Sequence, residues 1–92
     1  MNLHLIQRNP FSHGVFDECL KLVQNNDSIL LMGDGVYSLK HPILSTIEQP
    51  IYALEADCLG RGLETQLDGI TFIDMARFVK LCSQHKQTIS WF

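Results

Sequence analysis

Three cysteines, four histidines and a Gly33-Asp34-Gly35 turn are the residues of this chain whose types could do chemistry. Cys19, Cys58 and Cys82 are odd in number, far apart and in no C-x-x-C arrangement, so neither a disulfide framework nor a structural zinc site is expected. A thiol acts as its thiolate, which a helix amino terminus or a nearby cation favours and an apolar setting opposes. Cys19 lies near the middle of an expected helix and shares its apolar stripe with Phe16 and Val23. There the helix dipole does little for it, so the spacing reads as core packing, with a reactive thiol as the alternative. His13, six residues earlier, is not one helical turn away and implies no Cys–His pair. Cys58 has Arg61 three residues on and is expected in a loop-like, more exposed setting where that cation favours a thiolate, or, next to Leu59, equally tucked into the sheet. Cys82 falls on the inner face of the last helix and reads as core. His4, His13, His41 and His85 show no H-x-x-x-H or H-x-H spacing, so no metal is expected.

The glycine turn belongs to Ser28-Ile29-Leu30-Leu31-Met32-Gly33-Asp34-Gly35-Val36-Tyr37, an apolar run that stops abruptly and then resumes with helix-compatible residues. A run without alternating polar residues fits a strand covered on both faces, and open α/β sheets gather function at such carboxyl ends. The loop lacks the G-x-G-x-x-G pattern and a Lys-Ser/Thr ending, and its acid would repel a phosphate, so nucleotide binding is not expected. Asp34 then serves either local turn chemistry or a partner's donor. Trp91 and Phe92 must either dock on the chain's own core or remain available to another subunit.

Strands are expected at Leu3 to Ile6, Ile29 to Met32, Ile51 to Leu54, Ile70 to Ile73 and Thr88 to Phe92. The first helix carries Val15, Phe16, Cys19, Leu20 and Val23 on one side, with Ser12 as its cap candidate and Asp17, Glu18 and Lys21 outside. Val36 to Lys40 and Ile43 to Ile47 form two short helical pieces divided at Pro42, which lacks a backbone donor. Glu55 to Leu59 makes one helical turn, and Asp74 caps a last helix with Met75, Phe78, Val79 and Cys82 on one side. This alternation predicts a single-domain three-layer α/β/α sandwich over residues 1–92, flavodoxin-like, with a mainly parallel five-stranded sheet. Strand order and the direction of the last strand do not follow from periodicity.

Ninety-two residues, 46% of them hydrophobic and 18% charged, suit one compact core. The formal net charge of −3 argues against a basic groove for nucleic acid, so any RNA contact is expected through a partner. No signal-peptide region or membrane span is visible, and a cytoplasmic protein with reduced thiols is expected.

Asn9-Pro10-Phe11, Glu18-Cys19-Leu20-Lys21, Leu30-Leu31 through Asp34-Gly35-Val36-Tyr37, Ile51-Tyr52-Ala53-Leu54, Ala56-Asp57 leading to Arg61-Gly62-Leu63, Ile73-Asp74 with Phe78-Val79, and Ser90-Trp91-Phe92 together resemble the TusB/DsrH family. Their order and spacing, over nearly the whole chain, carry the resemblance. It implies a DsrEFH-like fold and a subunit of a sulfur-relay complex. Members similar to TusB join TusC-like and TusD-like chains in a heterohexamer, which passes persulfide sulfur from a TusA-like donor toward a TusE-like acceptor. The end use is 2-thiolation of the wobble uridine in certain tRNAs. DsrH-like relatives serve sulfur oxidation alongside DsrE and DsrF. In both branches the sulfur-carrying cysteine belongs to the TusD/DsrE-like partner, although Cys19 matches a cysteine typical of DsrH-like members.

The expected protein is therefore an auxiliary subunit without a cofactor, with Asp34, Tyr37, Arg61, Trp91 and Phe92 as interface or site-rim residues. Two alternatives stand beside it. In one, Cys19 is itself a persulfide carrier; in the other, the chain is a stand-alone ligand-binding domain using the strand-end crevice.

Overall fold

The computed structural model describes residues 1–12 and 14–91, so His13 and Phe92 lie outside the described residues. Five strands, β1 (Asn2–Ile6), β2 (Ser28–Leu31), β3 (Ile51–Leu54), β4 (Ile70–Ile73) and β5 (Gln87–Trp91), form one sheet in the order β4-β3-β2-β1-β5. Every pairing in it is parallel, including that of β5 with β1. Between the strands lie α1 (Val15–Leu22), two 3₁₀ segments (Gly33–Lys40 and Pro42–Thr46), α2 (Glu55–Gly60) and α3 (Met75–Gln84).

The strand order dictates the layers. From β1 to β4 each crossover steps the same way across the sheet, whereas the connection from β4 to β5 runs back past β1. Right-handed crossovers therefore place α1, the 3₁₀ segments and α2 on one face and α3 on the other. The packing agrees. Ile6, Ile29, Leu31, Ile51 and Ala53 meet Phe16, Cys19, Val36 and Cys58 on the first face, while Leu3, Leu5, Leu30, Leu54 and Ile73 meet Leu81 on the second. A strand buried on both sides has no solvent face to keep polar, which is why Ile29–Leu31 shows no alternation and all of β2 is buried.

Local chemistry sets the helix ends. The Asp74 carboxylate accepts a 2.8 Å bond from the Arg77 amide and caps α3. Asp74→Ala is expected to cost about 1 kcal/mol, the usual value of a lost cap, measurable as a lowered urea midpoint with an unchanged slope.

Ser12 does not cap α1. Its amide donates to the Asn9 carbonyl at 3.2 Å, and the Asn9 side chain accepts from the Phe11 amide at 2.9 Å. This turn uses up the segment, and the helix starts later, with Gly14 at its cap position and no side-chain cap bond. Of the two settings open to Cys58, the structure has the one tucked into the sheet. The residue lies in α2 and is fully buried, because the helix turns its side chain onto the sheet.

Candidate functional site

At the carboxyl ends of the strands, β2 delivers Gly33, Asp34 and Gly35 directly over the end of β1. The Met32 amide donates to the Ile6 carbonyl at 3.0 Å, and Gly33 turns the chain at φ +55°, a left-handed conformation that favours glycine. The Gly33 amide donates to Asp57 Oδ2 at 2.7 Å, which ties this loop to α2.

Arg61 reaches the same loop because of how α2 ends. The Gly62 amide donates to the Leu59 carbonyl at 3.2 Å and the Leu63 amide to the Cys58 carbonyl at 2.9 Å, with Gly62 at φ +69°. This is a Schellman turn, completed by Leu63 and Cys58 joining the same core cluster. It holds Arg61 where Nε and Nη2 donate to Asp34 Oδ1 at 3.1 and 3.0 Å and Nη1 donates to the Asp57 carbonyl at 3.1 Å. Asp34 and Arg61, far apart in sequence, thus form one ion pair on the rim. Tyr37, half-buried, packs against the first core cluster beneath it.

The thiols lie elsewhere. Cys19 is fully buried in the first-face core, and its pKa is pushed up to about 12, chiefly by burial and further by the Asp27 carboxylate. At neutral pH the thiol is held in its protonated form. Cys58 is also raised, first by burial and then by Asp57. Arg61 opposes this and Glu55 adds to it, so the cation expected to activate this thiol is present but outweighed. Cys82 is partly buried on α3, against the second core cluster. Among the described residues, no three His, Cys, Asp or Glu side chains gather where they could hold a metal ion.

Trp91 takes part in a buried network that the sequence reading missed. Its indole Nε1–H donates to His4 Nδ1 at 3.0 Å, and His4 Nε2 stands 2.9 Å from Asp27 Oδ2. Because the indole can only donate, Nδ1 accepts and Nε2 carries the proton toward the carboxylate. Asp27 also accepts from the Asn2 and Gln24 amides, each at 2.9 Å. His4 and Asp27 are each only 2% exposed. The available signal was a histidine inside Leu3-His4-Leu5-Ile6, since an imidazole on a doubly covered strand must find polar partners within the protein.

An all-parallel sheet in this order, with helices on both faces and a rim of loops at its carboxyl ends, defines an open α/β sandwich protein. The fold matches the solution NMR structure of protein Tm0979 from Thermotoga maritima with a TM-score of 0.69 and 26% identity, covering 91% of this chain and 93% of that one. It also matches the crystal structure of the ychN protein from E. coli with a TM-score of 0.73, covering 98% of both chains at 15% identity. The family model described as "DsrH like protein" matches residues 8–88, and the chain belongs to that family. Its relatives include Protein TusB of Yersinia pestis (strain Pestoides F), 33% identical over 95 residues, with 97% of this chain and 99% of the relative covered. Protein TusB of Pectobacterium parmentieri is 29% identical over 96 residues, with the same coverage.

Proposed function

We propose that this chain is a non-catalytic subunit of a cytoplasmic sulfur relay of the TusBCD type, supporting persulfide transfer for 2-thiolation of the tRNA wobble uridine. Its partners are TusC-like and TusD-like chains in a heterohexamer, served by a TusA-like donor and a TusE-like acceptor. The observation that carries the non-catalytic part is the state of Cys19. A persulfide carrier must present a thiolate to a donor sulfur, and this thiol is buried with its pKa near 12. Membership of the DsrH-like family supports the relay itself. Assembly is supported by apolar side chains left in solvent, among them Met75 and Val79 one turn apart on α3 and Leu59 on α2, each at least 60% exposed. On this reading the Asp34–Arg61 pair and Tyr37 form a rim that meets a partner.

The test is native mass measurement after coexpression with TusC-like and TusD-like chains, followed by persulfide labelling of each separated chain. A heterohexamer with label on the TusD-like chain alone is the expected result, and Cys19→Ser should leave that loading unchanged. Label on this chain that vanishes in Cys19→Ser would instead make it a sulfur carrier, and an unlabelled monomer that ignores both partners would overturn the relay reading.

A further inference from the structure

The outer face of α3 differs in charge from the rest of the surface. From Asp74 onward the sequence carries three cations, Arg77, Lys80 and Lys86, and a single acid, Asp74 itself, which caps α3. The rest of the sequence carries four cations against nine acids. A net acidic protein thus presents one basic helix, and among the described residues that helix alone covers the second face of the sheet. Phe78, Leu81 and Cys82 pack inward on the second core cluster. At about 100° per residue, the exposed arc then runs from Met75 and Val79 at one edge, across Ala76 and Ser83, to Lys80 and Arg77 at the other. Met75 and Val79 are 60% and 62% exposed. Among the described residues neither Arg77 nor Lys80 has an acidic partner.

We propose, resting on the relay reading above, that this face of α3 docks a relay partner chain through a partner surface whose apolar strip is edged by carboxylates. The arc is built for such a contact. Met and Arg are favoured in protein interfaces, the small Ala76 and Ser83 between the two edges let a partner's backbone approach closely, and Lys80 and Arg77 lack only an opposite charge. The same charges say what does not fit. A two-fold contact with a second copy would set Arg77 and Lys80 against their own kind. A nucleic acid would gain nothing from Met75 and Val79, and the acids on the rest of the chain would repel its phosphates.

The experiment uses the full chain coexpressed with TusC-like and TusD-like chains. Assembly is read by native mass over a dilution series, and a carbodiimide, which joins an amine to a carboxylate in contact with it, maps the charged edge. Lys80 should cross-link to an Asp or Glu of a partner. Met75→Glu combined with Val79→Glu should weaken assembly about tenfold or more, as for truncating an interface centre. Lys80→Gln should weaken it about threefold and Lys80→Glu about tenfold, because reversal adds repulsion that neutralisation does not. Circular dichroism checks that each variant folds; should one fail, the Lys80 cross-link in the native chain decides. Normal assembly of the variants with no Lys80 cross-link would overturn the docking face and leave the relay reading standing, since the native chain would still have assembled. A native chain that ignores both partners would overturn the two together. Variants that assemble normally while the complex loses affinity for bulk tRNA would give the face to nucleic acid, and would overturn the proposal as well.

Discussion

Gly35→Ala is expected to be among the most damaging single substitutions in this protein. A Cβ at that position would stand 1.9 Å from the Ile6 carbonyl oxygen and 2.5 Å from its carbon, both backbone atoms at the end of β1. No side chain can rotate to make room, and separating the two segments breaks the 3.0 Å bond from the Met32 amide to that same carbonyl. Overpacking a core costs about 1–3 kcal/mol when side chains can adjust, and a clash with fixed backbone belongs at or above the upper figure. Thermal unfolding followed by circular dichroism should show a loss of about 12 °C or more for a domain of this size. Gly33→Ala makes the contrast. Its Cβ would meet nothing closer than the Gln7 carbonyl oxygen at 3.7 Å, so only the φ of +55° resists it, at about 1 kcal/mol. If the two variants were equally stable, the close crossing of the loop over β1 would be wrong.

Asp27→Ala is expected to cost about 3 kcal/mol or more, since three donors lose an ionised acceptor at about 1–3 kcal/mol each. The carboxylate holds two backbone amides and the His4 ring at 2.9 Å each, joining the start of β1 to the turn before β2. Its loss leaves the buried His4 donor and two partly buried amides without their acceptor. The same group predicts a pH dependence. Its folded pKa of about 2 lies below the ordinary 3.8, so between these values the unfolded chain binds more protons and stability rises with pH. The contribution, about 2 kcal/mol, is full above the ordinary value and disappears as pH falls from about 4 to 2. Urea titrations at pH 7 and pH 3 should show about half of this loss in the native chain and a smaller one in Asp27→Asn, which titrates nothing at that position. Equal losses in the two proteins would assign the acid sensitivity to other carboxylates.

The sequence by itself determined the elements and their class. Unbroken apolar runs separated by helical stripes mark strands covered on both faces, and β3 and β4 fall where the pattern places them, with Asp74 as the cap of α3. The order and spacing of the motifs also carried the family. Ser12 shows where local pattern misleads, because an Asx turn at Asn9 competes for the same residues and wins.

Everything that depends on non-local pairing was decided by the tertiary structure. Whether β5 joins β1 in parallel is not written in the five residues of β5, because a short edge strand reads alike in either direction. Asp34 and Arg61 meet across 27 positions, and Trp91 and His4 across 87. A periodic pattern reports which side of its own element a residue lies on. It does not report which element arrives there, and that is settled by crossover handedness and by the requirement that each buried polar group find its partner.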